Sequence, residues 1–358
     1  MLTLALSPNI TGYLSRLAGV LLAHRWVIAV VLFYLAGAYL IAHSYGVPER
    51  MSVLTYGLVV PKITAIYLFF FALFYLVYVM VVRRPSRLIG YVVADVARNW
   101  LSVERLLGGL VMILVLQVFF SAFTSMKALI PIMNPFAWDA TFAEWDRALH
   151  GGRDPWALIQ PLLGYPAVTT AVNFLYQCWL FVLYGFLVWQ AFSTRDQRLR
   201  MQFFLALLLL WALLGNLAAT VFSSAGPVYF GRATGLPDPF EPLISYLRAA
   251  NEVSPVWALD IHDRLWSAYV TDSGQLGKGI SAMPSIHVAT AVLFALTAWR
   301  ASRALGIVFT GYAVAVMVGS VHLAWHYALD GYVSIVLTYL IWRAAGWWAA
   351  RDGTLSPG

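Results

Sequence analysis

Cysteine is nearly absent from this chain. Cys178 stands alone inside an apolar run, which excludes a disulfide framework and a cysteine metal cluster. Charge is scarce too. Only 11% of the 358 residues are Asp, Glu, Lys or Arg, whereas soluble domains carry about 25%. No segment alternates like the strands of a barrel, and no internal repeat is evident. What fills the chain is apolar: 61% of residues are hydrophobic and the mean hydropathy is +0.75. The composition is that of an all-α polytopic membrane protein. Its expected partners are membrane lipids rather than nucleic acid, and the arginine excess points to a bacterial inner membrane.

A helix needs about 20 predominantly apolar residues to cross the hydrocarbon core. Eight stretches qualify, near 27–42, 63–82, 106–123, 167–192, 203–222, 279–299, 304–321 and 326–348. The first is the shortest, and residues 17–23 could lengthen it past Arg25. A signal peptide is the rival reading of this segment. Against it stand the poor cleavage site "AHS" and the helical look of "TGYLSRLAGVLLAHRW". The tail "DGTLSPG" is expected to be disordered.

Cytoplasmic loops carry the Lys/Arg excess. With eight spans, Arg16 and Arg25, the group from Arg83 to Arg105, Arg195 to Arg200, Arg300 and Arg303, and Arg343 and Arg351 all fall on one side. Asp139, Glu144, Asp146, Asp154, Asp238, Glu241, Asp260 and Asp263 fall on the other. Both termini are therefore expected in the cytoplasm. The segments "SAMPSIH" and "HLAWHYALD" then emerge on the periplasmic or lumenal face.

Two loops on that face are long. The first, about 124–166, places Trp138, Phe142, Trp145 and Leu149 at helical spacing. This pattern predicts an amphipathic helix lying on the membrane surface over about 136–160. The second, about 223–279, is rich in Gly, Pro and charge and leads into "SAMPSIH". Loops longer than ~15 residues are usually functional or disordered. This one is expected to fold over a site.

The chemistry gathers near these loops. His326 and Asp330 are four residues apart, so on a helix they share one face. A carboxylate beside an imidazole fixes its tautomer and aims the other nitrogen at a substrate, and such an imidazole can carry a phosphoryl group. A structural His–Asp pair joining two helices is the plain alternative. His287 opens an apolar run just after Pro284 and Ser285, where free N–H groups favour an anion. It suits a general acid, although histidines at helix starts are more often caps. Lys278 and Arg232 are cations on the same face that could neutralise a phosphate or merely meet lipid headgroups. His322, His326 and Asp330 follow an i, i+4, i+8 spacing that suggests metal ligands. However, i and i+8 lie about 12 Å apart along a helix axis, so only neighbouring pairs chelate comfortably.

"AMPSIHVATA" and "HYALDGYVSI" resemble two motifs of the type 2 phosphatidic acid phosphatase superfamily, Pro-Ser-x-His and His-Tyr-x-x-Asp. The nearest branch is the one containing inositol phosphorylceramide and sphingomyelin synthases. "FSSAGPVYF" is similar to the looser proline-aromatic motif of those transferases, and "WDRALHGGRDPW" to the surface segment before their catalytic core. The likeness covers about residues 130–345. It implies a six-helix catalytic core over 106–350, preceded by two spans and a loop over 1–105 and followed by the tail 351–358.

The resemblance also implies roles. His326 would be the nucleophile, Asp330 its orienting group, and His287 the acid that later serves as base. Ser285 and nearby amides would hold phosphate oxygens, with Tyr229 among the substrate-binding residues and neither metal nor cofactor needed. The phosphatases of the superfamily begin their first motif with a lysine and end it with Arg-Pro, and they place Ser-Arg before the last histidine. This chain has neither arrangement; Gly319 and Ser320 stand at the latter position. Arg232, Lys278 or His322 would have to compensate. These departures favour a membrane phosphotransferase that moves a phosphorylated headgroup from a lipid donor to an alcohol or lipid acceptor. A lipid phosphate phosphatase is the alternative. A lipid or ion transporter is a third reading, disfavoured because the ionisable groups gather at one mouth.

Overall fold

The computed structural model describes residues 8–271 and 279–355. The chain opens with α1 (Pro8–Ala23), α2 (Arg25–Ser44), α3 (Val59–Tyr78), α4 (Leu88–Asn99) and α5 (Val103–Met133). Next come α6 (Asp139–Leu149), α7 (Pro155–Leu163), α8 (Pro166–Gln177) and α9 (Trp179–Ala191). α10 (Gln197–Leu210) runs through a π-helical stretch, Trp211–Ala218, into α11 (Ala219–Val221). α12 (Phe230–Thr234), α13 (Glu241–Val253) and α14 (Ala258–Val270) precede α15 (Ile286–Ala301), α16 (Arg303–His322) and α17 (Ala328–Arg351). No strand occurs among the described residues, and the fold is that of an all-α polytopic membrane protein.

Among the described residues, seven helices are long and apolar enough to cross a membrane: Arg25–Ser44, Val59–Arg83, Val103–Met133, Pro166–Ala191, Gln197–Val221, Arg303–His322 and Ala328–Arg351. The remaining stretch expected to span, 279–299, becomes helical only at Ile286. Its 16 residues rise about 24 Å, short of a hydrocarbon core of about 30 Å. The six residues before it run as an irregular segment packed inside the protein. There Ala282 N–H donates to the Ser224 carbonyl at 2.9 Å and Met283 N–H to Ser224 Oγ at 3.2 Å. Backbone without helical bonds is tolerated at membrane depth only where protein satisfies it in this way.

Local sequence explains several helix boundaries. Ser102 Oγ caps α5 by accepting the Arg105 N–H, and Asp196 caps α10 by accepting that of Leu199. Such caps satisfy amides that have no carbonyl four residues back. α15 packs most extensively on α16 and α17, and α17 also packs on α10. Phe203, Phe204, Leu293 and Phe294 fill the space between them. α3 is the opposite case. Almost none of it is buried, and Phe69, Phe70 and Phe74 project outward as side chains facing lipid would.

Three expectations need correction. The single surface helix over 136–160 is two helices, broken where Gly151 and Gly152 adopt φ of +67° and +81°. The loop near 223–279 contains α12, α13 and α14. The tail is packed as far as Leu355, which is buried, while Asp352 pairs with Arg25 at 2.7 Å. Residues 356–358 lie outside the described residues.

Candidate active site

His326 sits in the turn between α16 and α17. Its backbone N–H and that of Trp325 both donate to the Ser320 carbonyl, while Ala324 takes a φ of +59°. The pair with Asp330 forms, but not along one helix face as the spacing suggested. His326 precedes α17, and Asp330 lies in the first turn and reaches back across the helix start. His326 Nδ1 is 2.8 Å from the Ala282 carbonyl oxygen and 3.2 Å from Asp330 Oδ2. Both neighbours are acceptors, so Nδ1 carries a proton, and in the neutral ring the lone pair is on Nε2. Asp330 Oδ2 also accepts the Tyr327 N–H at 3.1 Å, and the residue is fully buried.

Ser285 caps α15. Its buried hydroxyl accepts the Val288 N–H at 3.4 Å, and its own N–H donates to the Asp330 carbonyl at 3.4 Å. Ser285 thus ties α15 to α17, and its side chain is engaged in that cap. His287 projects from the first turn of α15 between two rings, Tyr176 at 5.0 Å and Trp179 at 4.2 Å. Its centroid is 6.2 Å from that of His326. No described residue hydrogen-bonds the His287 ring, which leaves its nitrogens available to a bound molecule.

Two aspartates that sequence reasoning left among the outward acids hold this arrangement together. Asp139, Phe142, Ala143 and Asp146 form the buried face of α6. Asp146 accepts the N–H groups of Ala328 and Leu329, at 2.8 and 2.9 Å, at the start of α17. Asp139 accepts those of Ala225 and Gly226, both at 2.8 Å, and the Tyr327 hydroxyl at 2.8 Å. Burial raises the pKa of both carboxyls, and the amide donors act the other way. An ionised acid at a helix N-terminus meets orphan donors and the positive end of the dipole. The i, i+3, i+4, i+7 spacing was the available signal, since it puts both acids on the apolar stripe rather than opposite it.

The two histidines open onto one cavity of about 510 Å³. Its walls are largely apolar, with Phe120, Trp179, Leu183 and Trp211 among them, and Val59 and Ile63 of α3 reach it. Tyr229 lines it as well; its hydroxyl donates to the His262 carbonyl at 2.8 Å, and burial raises its pKa. His262 itself is buried 4.1 Å from the Trp325 ring with neither ring nitrogen hydrogen-bonded. Burial, and then the charge of Arg232, push its pKa down to about 3.

Two of the residues expected to supply positive charge, Arg232 and His322, are placed otherwise. Arg232 is exposed and sits 5.6 Å over the Trp266 ring, not in the cavity wall. His322 is buried beside Thr169, 2.9 Å from its hydroxyl, with Tyr246 nearby, and does not reach the cavity. Lys278 lies outside the described residues. Lys127, near the end of α5, does line the cavity. The apolar run in the sequence ends at Phe123, whereas the helix continues to Met133 and carries Lys127 beyond the expected span. The His322–His326–Asp330 ladder does not exist as a ligand set, since the three positions fall on two helices and the turn between them. Among the described residues, no group of three His, Cys, Asp or Glu side chains is arranged to hold a metal ion.

Residues 140–344 match the family model of the PAP2 superfamily. The chain belongs to that superfamily. PAP2 membership fits a phosphatase or phosphotransferase, and the matched region holds Ser285, His287, His326 and Asp330 while leaving out α1 to α5. No curated protein and no solved structure matches the chain.

Proposed function

We propose that this PAP2 protein is a membrane phosphotransferase that moves a phosphorylated headgroup from a lipid donor to an alcohol or lipid acceptor. The observation that carries this reading is the state of His326. Its Nδ1 proton is held between the Ala282 carbonyl and Asp330, and Nε2 is left free beside His287 in an apolar cavity.

In the first step the Nε2 lone pair attacks phosphorus. The P–N bond forms as the P–O bond to the lipid alcohol breaks, and protonated His287 gives its proton to the departing oxygen. Asp330 balances the positive charge of the phosphohistidine. In the second step His287 takes the proton of an acceptor hydroxyl, whose oxygen attacks phosphorus and releases His326. The same group serves as acid and then base because the second step reverses the first. Positioning and electrostatic stabilisation supply most of the catalysis in phosphoryl transfer, and the steps above use only side chains of this chain. The apolar walls favour a lipid substrate and disfavour water as the second nucleophile. The arginine distribution supports cytoplasmic termini, with the site on the opposite face.

Purified protein in chelator-containing buffer, given phospholipid donors labelled on phosphorus and a panel of alcohols, tests this. Products are resolved by mass. A new phosphodiester is expected, abolished in His326→Ala and His287→Ala and reduced less in Asp330→Asn than in Asp330→Ala. Phosphate release whatever acceptor is present would make the protein a phosphatase. Label recovered on serine rather than histidine, after denaturation in base, would overturn the nucleophile. Single cysteines replacing Arg195 and Asp238 should react from opposite sides of the membrane; reaction of both from one side would overturn the orientation.

A further inference from the structure

The superfamily match begins at residue 140, and the cavity is not complete without residues that precede it. Thr124 and Lys127, one turn apart on α5, line the same cavity as His287 and His326. Lys127 makes no hydrogen bond or ion pair with any described residue, whereas the Thr124 hydroxyl is shared with Tyr56 at 3.1 Å. Burial, then His326, then the charge of Lys127 lower the pKa of His287, which places Lys127 near that ring. An ammonium among apolar walls is costly unless an anion joins it.

A second feature ties Lys127 to the reacting groups. Gly279, at a φ of +106°, lies directly against it. A Cβ at this position would stand 2.7 Å from Lys127 Cγ and 2.8 Å from its carbonyl oxygen. The segment that leads to Pro284 and His287 therefore crosses the Lys127 backbone at a contact only glycine permits. This contact sets the position of the ammonium stem relative to the start of α15. Arg232 points elsewhere and His322 is occupied, so Lys127 is the lysine or arginine that the described residues bring to the cavity. A surface lysine extending its head group to water is the ordinary alternative, but it does not account for a side chain lining the histidine cavity.

We propose that Lys127 is the phosphate-binding cation of this site, its ammonium pairing with non-bridging oxygens of the phosphoryl group while His326 attacks phosphorus. Resting on the phosphotransferase reading, the assignment makes the N-terminal helices part of the reaction chamber. It also explains how the chain functions without the cations of the phosphatase motifs. The charge acts where negative charge develops at phosphorus, and it needs no reorganisation because the helix holds it.

The test separates binding from turnover. Full-length protein in detergent is titrated with tungstate, a phosphate mimic, by calorimetry, using wild type, Lys127→Met and Lys127→Arg. Wild type should bind, Lys127→Met should bind at least about tenfold more weakly, and Lys127→Arg should stay within a few-fold of wild type. Thermal midpoints should be equal or higher in Lys127→Met, because an unpaired charge has been removed. In turnover of a phospholipid donor, kcat/KM should fall about 10²–10³-fold in Lys127→Met, with partial rescue in Lys127→Arg. Equal tungstate binding by folded wild type and Lys127→Met, or no binding by wild type, would overturn the assignment. A lowered midpoint without arginine rescue would do the same. Tungstate binding that depends on Lys127 in a protein that turns over no phospholipid would leave the cation site standing and remove the phosphotransferase reading.

Discussion

At the end of the bundle away from the cavity, Arg200 is 3% exposed and fully engaged. Its guanidinium donates to the carbonyls of Gln190, Ala191 and Gly108 and to Gln197 Oε1. At the cavity end, Lys127 and the His287 ring have no hydrogen-bonding partner among the described residues. Both sites place nitrogen in an apolar bundle, yet Arg200 is satisfied by protein acceptors whereas Lys127 and His287 are not. Buried polar groups are nearly always paired, so an unpaired set that faces a cavity marks the place where a ligand completes the count. The paired set joins helix ends: Arg200 collects the last carbonyls of α9 and ties them to α5. Between these extremes stand Asp139 and Asp146, which are fully engaged themselves but whose partners carry the reactive groups.

That contrast can be broken at three points. The largest effect is expected at Asp146. Asp146→Ala orphans two amides at the start of α17, each costing about 1–3 kcal/mol, and releases the turn that holds His326. The thermal midpoint should fall, and kcat/KM should drop on the order of a hundredfold through misplacement alone. Asp146→Asn, which keeps one acceptor oxygen, should fall between the two. Activity that survives Asp146→Ala in a folded protein would show that α6 does not position the site.

Arg200→Ala should act on stability alone. Losing hydrogen bonds from a charged donor costs about 2–3 kcal/mol, read as a lower midpoint in detergent, while kcat/KM of the folded fraction stays unchanged. A parallel loss of activity would mean that the two ends are coupled through α10 and the distinction fails.

The smallest effect concerns His262. Its pKa is about 3 in the folded protein and about 6.5 when unfolded. The folded state therefore holds its neutral ring in full above about pH 6.5, and the unfolded state gains protons first as pH falls. Stability should decline as pH drops from that value toward about 3. His262→Phe should flatten this acid limb and leave the midpoint at pH 8 little changed. An identical acid limb in the variant would assign the decline to the other buried groups.

Much of the site could be read in one dimension because its signals are local. The neighbourhood of Ser285 and His287, and the four-residue step from His326 to Asp330, are visible as text. The mistakes came where an element's end had to be guessed. α5 extends beyond its evident apolar run to carry Lys127, and α15 starts later than its apolar run because Gly279–Pro284 is held by Ser224. The spacing of Trp138, Phe142, Trp145 and Leu149 predicts a helix lying on the membrane surface. In fact Phe142 turns inward together with Asp139 and Asp146, and only a partner with free amides makes an acid welcome on that face.

The sequence by itself determined the setting and the candidate residues Ser285, His287, His326 and Asp330. Hydrophobic runs measure themselves against the thickness of a bilayer, and an imidazole four residues before a carboxylate can meet it across a helix start, as His326 and Asp330 do. The tertiary structure decided which cation faces the histidines, where each aspartate points, and that Nδ1 of His326 bears the proton. Those outcomes depend on contacts between residues such as Lys127 and Gly279, or Asp139 and Gly226. They lie far apart in the chain, and no periodicity within one helix reports which backbone amide or carbonyl of another will stand opposite.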